Sequence, residues 1–211
     1  MDERIEQAQL LCDRATFGGE AELLPEADRA LDAAEADLAL TRGRVLHARF
    51  LRQREADEAE LAFFERAREL YRSLGDRRGE AEAVFWTAVY HQVVRGDHAA
   101  ALPALHRSRD LAAAAGDHRT LSYALRHLGI AAHQAGELAD ARALLEESTR
   151  LRRELAFPAG VAANLVGLAY LAAGQDRPGD ARALLDEAAA LAASAAAKAV
   201  LDQVDEARAA L

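Results

Sequence analysis

The chain has 211 residues, enough to bury a sizeable core as one or two domains or as a short repeat array. Hydrophobic residues make up 51% but aromatics only 5%, so most of the apolar content is Ala and Leu, strong helix formers that favour an all-helical chain. Acids outnumber bases 35 to 26, which argues against a nucleic-acid binder, and no apolar run approaches the ~18 residues of a membrane span.

The N-terminal stretch MDERIEQAQ is polar and unlike a signal peptide. Cys12 is the only cysteine, so no intrachain disulfide can form, and a reducing cytoplasm is the expected compartment. Its neighbours Leu10 and Leu11 read it as a buried, inert thiol. LLPEADRALDAAEA follows, with Ala27, Leu31 and Ala34 in helical register, and then the arginine-rich helix TRGRVLHARFLRQR. One register of that helix turns Arg42, Arg49 and Arg52 to the same side as the first helices downstream; the other turns Arg44 there.

From residue 59 the chain repeats itself. AELAFFERAREL, AALPALHRSRDL, and the stretches ADARALLEESTRL and DARALLDEAAAL align in four columns. These are Glu60, Ala101, Ala141 and Ala181; Phe64, Leu105, Leu145 and Leu185; Ala67, Ser108, Ser148 and Ala188; and Leu70, Leu111, Leu151 and Leu191. Within each copy the sites fall at i, i+4, i+7 and i+10, one stripe of an α-helix, and the copies are offset by 41, 40 and 40 residues. Another helix precedes each copy: EAEAVFWTAVYHQVVRGD, TLSYALRHLGIAAHQAGE and GVAANLVGLAYLAAGQD. Gly96, Gly136 and Gly174 are expected to end these helices, Gly75 and Gly116 those of the other set, and Phe157-Pro158 stands in for a glycine in one turn. The last stretch, ASAAAKAVLDQVDEARAAL, puts Val200, Val204, Ala207 and Leu211 on one face. A terminal repeat needs a cover, so this is read as a capping helix, with docking on a second subunit as the alternative.

The unit resembles a tetratricopeptide repeat. Leu125, Leu128-Gly129 and Ala132 precede Ala141, Leu145 and Ser148, and Val166-Gly167 and Tyr170 precede Ala181, Leu185 and Ala188. The unit is about 40 residues rather than the usual ~34 and lacks the terminal proline; longer units of this kind resemble those of bacterial regulators. The resemblance implies an all-α, right-handed α-solenoid of about five antiparallel helix pairs plus a C-terminal capping helix, as one domain. The expected repeats are 3–36, 37–77, 78–117, 118–157 and 158–195, with the cap over 196–211.

The resemblance also implies that the first helix of each pair lines a concave face where partners bind. Aligning those helices places Trp86 with Arg126 and Asn164, Tyr90 with Ile130 and Leu168, Val93 with His133 and Leu171, and Ala83 with Tyr123 and Val161. The candidate partner-binding residues are therefore Arg42, Arg49, Arg52, Trp86, Tyr90, Tyr123, Arg126, His133 and Asn164. Trp, Tyr and Arg are enriched at binding hot spots. The competing reading packs Trp86 and Tyr90 between helices and leaves the arginines as a solvated face.

None of the seven histidines, His47, His91, His98, His106, His118, His127 and His133, forms His-x3-His or HExxH with another. No activated serine and no Gly-rich phosphate loop is present. No catalytic residue, metal or cofactor is expected. The leading reading is a non-catalytic scaffold or regulatory adaptor in the cytoplasm. It would bind a protein or peptide segment with an acidic group, as a monomer or as a homodimer through the last helix. The alternative is a small-molecule binder or enzyme using the same groove, with Tyr90, Tyr123, Arg126, His127 and His133 as its working residues.

Overall fold

The computed structural model describes residues 1–211 and contains α-helices joined by short turns, without strands. It divides into two compact units, Met1–Leu111 and Ala112–Leu211. Within each, neighbouring helices pack in succession, the arrangement of an α-solenoid of helix pairs.

The first unit holds α1 (Glu3–Gly18), α2 (Leu24–Gln53), α3 (Ala59–Leu74), α4 (Arg77–Val89) and most of α5 (His98–Ala114). α2 departs from the expected repeat boundary between residues 36 and 37, which falls inside a continuous helix of 30 residues. The run from Ala27 to Thr41 contains neither glycine nor proline, so nothing there stops the helix. α1 folds back on the first half of α2 through Ala8, Leu11 and Ala27, while α3 packs on the second half through Ala36, Ala39, Leu40 and Phe64. Cys12, expected to be buried, is exposed: Leu11 takes the inward position of α1 and its neighbour faces solvent.

The second unit holds α6 (His118–Gln134), α7 (Leu138–Glu154), α8 (Pro158–Ala173), α9 (Pro178–Ser194) and α10 (Lys198–Ala210). Its helices begin twenty residues apart, so the forty-residue unit is two equal halves, each a helix of about five turns. The residue in the left-handed conformation recurs at the same interval: Gly116, Gly136, Ala156, Asp176 and Ala196. Gly174 follows the last residue of α8 as expected, but with φ −64°, and the left-handed residue is Asp176 two positions later, at φ 55°. Ala156 and Ala196, at φ 50° and 51°, hold a conformation that costs a residue with a Cβ about 1 kcal/mol. Ala156→Gly and Ala196→Gly are expected to raise stability, each by a few tenths to about 1 kcal/mol, as a higher urea midpoint at unchanged slope.

The first three repeat columns are internal, and in the fourth Leu70 and Leu151 are buried while Leu111 and Leu191 are half-buried. Phe64, Leu105, Leu145 and Leu185 are buried, as are the small residues Ala67, Ser108, Ser148 and Ala188. The two serines use their burial: Ser108 Oγ donates to the Ala81 carbonyl at 2.9 Å and Ser148 Oγ to the Ser122 carbonyl at 2.6 Å, each reaching the preceding helix. α10 packs on α8 and α9; of its expected apolar face Val204 and Ala207 are buried, Val200 is half-buried and Leu211 is exposed.

One extra residue separates the first repeat offset, 41, from the later ones, 40. α4 absorbs it. Past Val89 the helix widens into a π-helical turn, Tyr90–Val94, with Arg95 N donating to the Tyr90 carbonyl at 3.1 Å. Such a turn is the usual result of a one-residue insertion into an α-helix.

Candidate functional site

The insertion changes the expected alignment of the first helices. α4, α6 and α8 begin at residues 77, 118 and 158, so the positions equivalent to Trp86 are His127 and Gly167, not Arg126 and Asn164. Asn164 instead shares a column with Ala83, Ala124 and Val204, each with no exposed surface. It is a core residue, and a partner cannot reach it.

The structure sorts the other candidates by unit. In the first, Trp86 stacks on Phe64 with centroids 5.8 Å apart and meets the edge of His47 at 5.4 Å. His47 in turn sits 2.9 Å from the wholly buried carboxylate of Glu60. Trp86 is half-buried and Tyr90 is buried, so both follow the packing reading. The arginine beside Trp86 is Arg44, its guanidinium 5.5 Å from the ring and 3.2 Å from Glu82, which also accepts from the indole N–H at 3.3 Å. Arg42 lies over Phe63 instead, and Arg49 and Arg52 are exposed elsewhere on α2. Of the two registers, Arg44 is therefore the one that joins Trp86, and Arg42, Arg49 and Arg52 do not.

In the second unit Arg126 and His133 meet in one groove. A cavity of about 290 Å³ runs across α6, α8 and α10. Arg126, Ile130 and His133 form one wall, Val166, Gly167 and Tyr170 the floor, and Gln203 and Glu206 the far wall. The open side of Gly167 faces inward: a Cβ there would meet Leu145 Cδ1 at 3.2 Å, so the glycine lets α8 seat against that leucine beneath the floor. The walls come from α6, α8 and α10 in matching register, forty residues apart at Arg126, Val166 and Glu206. α10 thus contributes to the groove as well as closing the array.

Behind Arg126 lies a polar centre that the sequence reading passed over. Arg152 of α7 is 2% exposed. Its Nη1 donates to the Gly160 carbonyl at 2.8 Å and to Asn164 Oδ1 at 2.9 Å. Arg126 Nη1 donates to the same Asn164 Oδ1 at 3.1 Å and to the Ala163 carbonyl at 2.7 Å. The Arg152 guanidinium is held over the rings of Tyr123, at 5.0 Å, and Phe157, at 5.6 Å. Tyr123, a groove candidate, is thereby committed to the interior cation. Burial pushes Arg126 down to about 10, and burial followed by the like charge of Arg126 pushes Arg152 down to about 9. Both stay cationic at neutral pH, and no carboxylate pairs with either. The sequence did hold a signal: Arg152 occupies a buried column that otherwise reads Tyr71, Ala112 and Ala192, and Asn164 is the polar member of its own column.

Residues 88–154 match the model of the tetratricopeptide repeat family. Over that segment, about a third of the chain, the helices are similar to tetratricopeptide repeats. The matched segment includes α6 and α7, hence Arg126, His133 and Leu145. Tetratricopeptide repeats in general mediate protein–protein interaction, which is the broad role this repeat array supports. No curated protein matches the sequence. No helix of the array is long and apolar enough to cross a membrane.

Proposed function

We propose that the protein acts by binding, as a cytoplasmic scaffold or regulatory adaptor that takes a peptide segment of another protein into the α6–α8–α10 groove. The observation that carries this reading is the placement of Arg126. It lines an open groove, it is a cation without a carboxylate partner, and its neighbour inside the protein is a second cation. An acidic group of the partner would supply the missing charge, as a charge-assisted hydrogen bond to the guanidinium. Ile130, Val166 and Tyr170 offer the apolar area, and Glu206 on the far wall suits a basic or amide group next along the segment. A volume of about 290 Å³ lies at the lower edge of small-molecule sites, ~300–1,000 Å³, and fits one or two side chains of a peptide. The array holds its walls in place before binding, so the partner bears most of the ordering cost.

The test is fluorescence anisotropy with a panel of labelled peptides, each acidic member paired with its amide counterpart. Acidic peptides are expected to bind more tightly than their amides. Arg126→Gln is expected to weaken the best of them roughly tenfold, about 1.4 kcal/mol. Because Arg126 also bonds inside the protein, Tyr170→Ala serves as a second variant outside that network, with melting curves recorded for both. Equal binding by wild type and both variants, or no binding by any peptide, overturns the proposal.

A further inference from the structure

The groove leaves a second surface unexplained. Along α2, Leu24, Leu31, Leu38 and Val45 recur every seven residues, and each is 42–53% exposed. Single exposed leucines need no explanation, but four apolar side chains in line along one side of an unbroken helix form a continuous exposed stripe, which is the kind of surface that takes a partner. Neither neighbour in the chain takes this seam. α1 is packed on Ala27 and Ala30, and α3 on the side of Ala36, Leu40 and Phe50.

Charge identifies the occupant. Four residues beyond each seam position stand Asp28, Glu35, Arg42 and Arg49, two acids followed by two bases. A parallel copy of α2 would set like charges against like. An antiparallel copy, turned about a two-fold axis beside Leu38, sets the acidic half of each helix against the basic half of the other. Flanking positions of the same class face one another in antiparallel pairs, so Asp28 of one copy meets Arg49 of the other, and Glu35 meets Arg42. All four are exposed; Asp28 and Arg49 have no ion pair within the chain and form the principal cross-pair, while Glu35 already pairs with Arg66 of α3 at 2.7 Å and would share its charge with Arg42. The same turn brings Leu31 of one copy toward Val45 of the other. Leu31 is one wall of a largely apolar cavity of about 270 Å³, with Ile5, Ala8 and Cys12 opposite and Gln9 and Asp13 at its edge, which could receive that side chain.

We propose that the α2 seam is a homodimer interface, formed by antiparallel pairing of α2 with α2 of a second copy. The contact is isologous and closes after two chains, which agrees with a charge pattern that is its own complement. It is independent of the α6–α8–α10 groove. A helix of a different protein would have no reason to be matched by the inverse of α2's own charge order. An anionic lipid surface would be repelled by the acidic half.

Sedimentation velocity of the full chain across a wide concentration range tests this. The wild type is expected to be a dimer. Leu38→Glu, at the axis, is expected to give a monomer with an unchanged melting curve, because Leu38 is 53% exposed within one chain. Asp28→Arg and Arg49→Asp are each expected to weaken the dimer, and the two together to restore it. Leu38→Cys, in a Cys12→Ser background, is expected to form an interchain disulfide. A wild type that stays monomeric overturns the proposal, as does a dimer that survives Leu38→Glu. Failure of the double charge reversal to restore association overturns the antiparallel pairing.

Discussion

Asn164→Ala is expected to destabilise the protein by roughly 3–5 kcal/mol, read as a fall in the urea midpoint with little change in slope. One side of the amide accepts from both Arg126 and Arg152; the other donates to Ser148 Oγ at 2.8 Å and Thr149 Oγ1 at 3.2 Å. Those two hydroxyls have already spent their own hydrogens on the carbonyls of Ser122 and Leu145, so at Asn164 they can only accept. The site therefore demands an acceptor toward α6 and α7's cations and a donor toward the hydroxyls, which an amide alone among side chains of this size provides. Alanine leaves two hydroxyl oxygens without a donor and two neighbouring cations without their shared acceptor, in a place water does not reach. Loss of a partner to a buried charge is the costly kind of loss. Asn164→Asp supplies negative charge to the arginines but turns an oxygen toward oxygens, and is expected to fall between wild type and alanine. A midpoint unmoved by Asn164→Ala would mean that the network does not hold α6, α7 and α8 together.

This centre marks where the sequence stopped being legible. The second-helix columns could be read because their apolar stripe repeats with a constant spacing, and Leu145, Ser148 and Ala188 lie where that stripe puts them. First-helix positions were harder. Their apolar residues run nearly all round α8, where Val161, Leu165, Val166, Leu168 and Leu171 are all buried, so no stripe fixes the register. The one-residue insertion absorbed at Tyr90–Val94 shifts Trp86 by one, onto His127, and setting Arg126 against Asn164, 38 residues apart where α6 and α8 begin 40 apart, put the core residue Asn164 on the concave face. Arg126 and His133 reached the groove despite that error, since their own helix had been placed correctly. Arg152 was hidden for a different reason. In the run Arg150-Leu151-Arg152-Arg153 a charged residue reads as solvated by default, and only its three-dimensional setting against Tyr123, Phe157 and Asn164 shows otherwise. α2 was misdivided because repetition suggested a turn that the local sequence, free of helix breakers, does not make.

Leu145→Ala is expected to cost roughly 2–5 kcal/mol, the range for emptying a leucine-sized space in a packed core. Leu145 is 2% exposed and stands at the meeting of two repeats. A Cβ added to Gly129 of α6 would lie 3.0 Å from Leu145 Cγ, and one added to Gly167 of α8 3.2 Å from its Cδ1. The two glycines that carry the family resemblance thus make room for one leucine, and the leucine fixes the spacing of α6 and α8 that sets the groove's floor. Leu155→Ala, at a position 39% exposed, is expected to change stability by no more than about 0.5 kcal/mol and serves as the control. The decisive comparison is Gly129→Ala made in both backgrounds. In the wild type its Cβ crowds Leu145 and also lies 3.3 Å from the Ala141 carbonyl, so a net loss is expected. With Leu145→Ala the principal obstacle is gone, the added methyl fills part of the vacated space, and the better helix propensity of alanine is expressed. The double variant should therefore be more stable than the two single losses predict when added, by about 1 kcal/mol or more. Strict additivity would separate Gly129 from Leu145 and remove the packing basis for the groove's geometry.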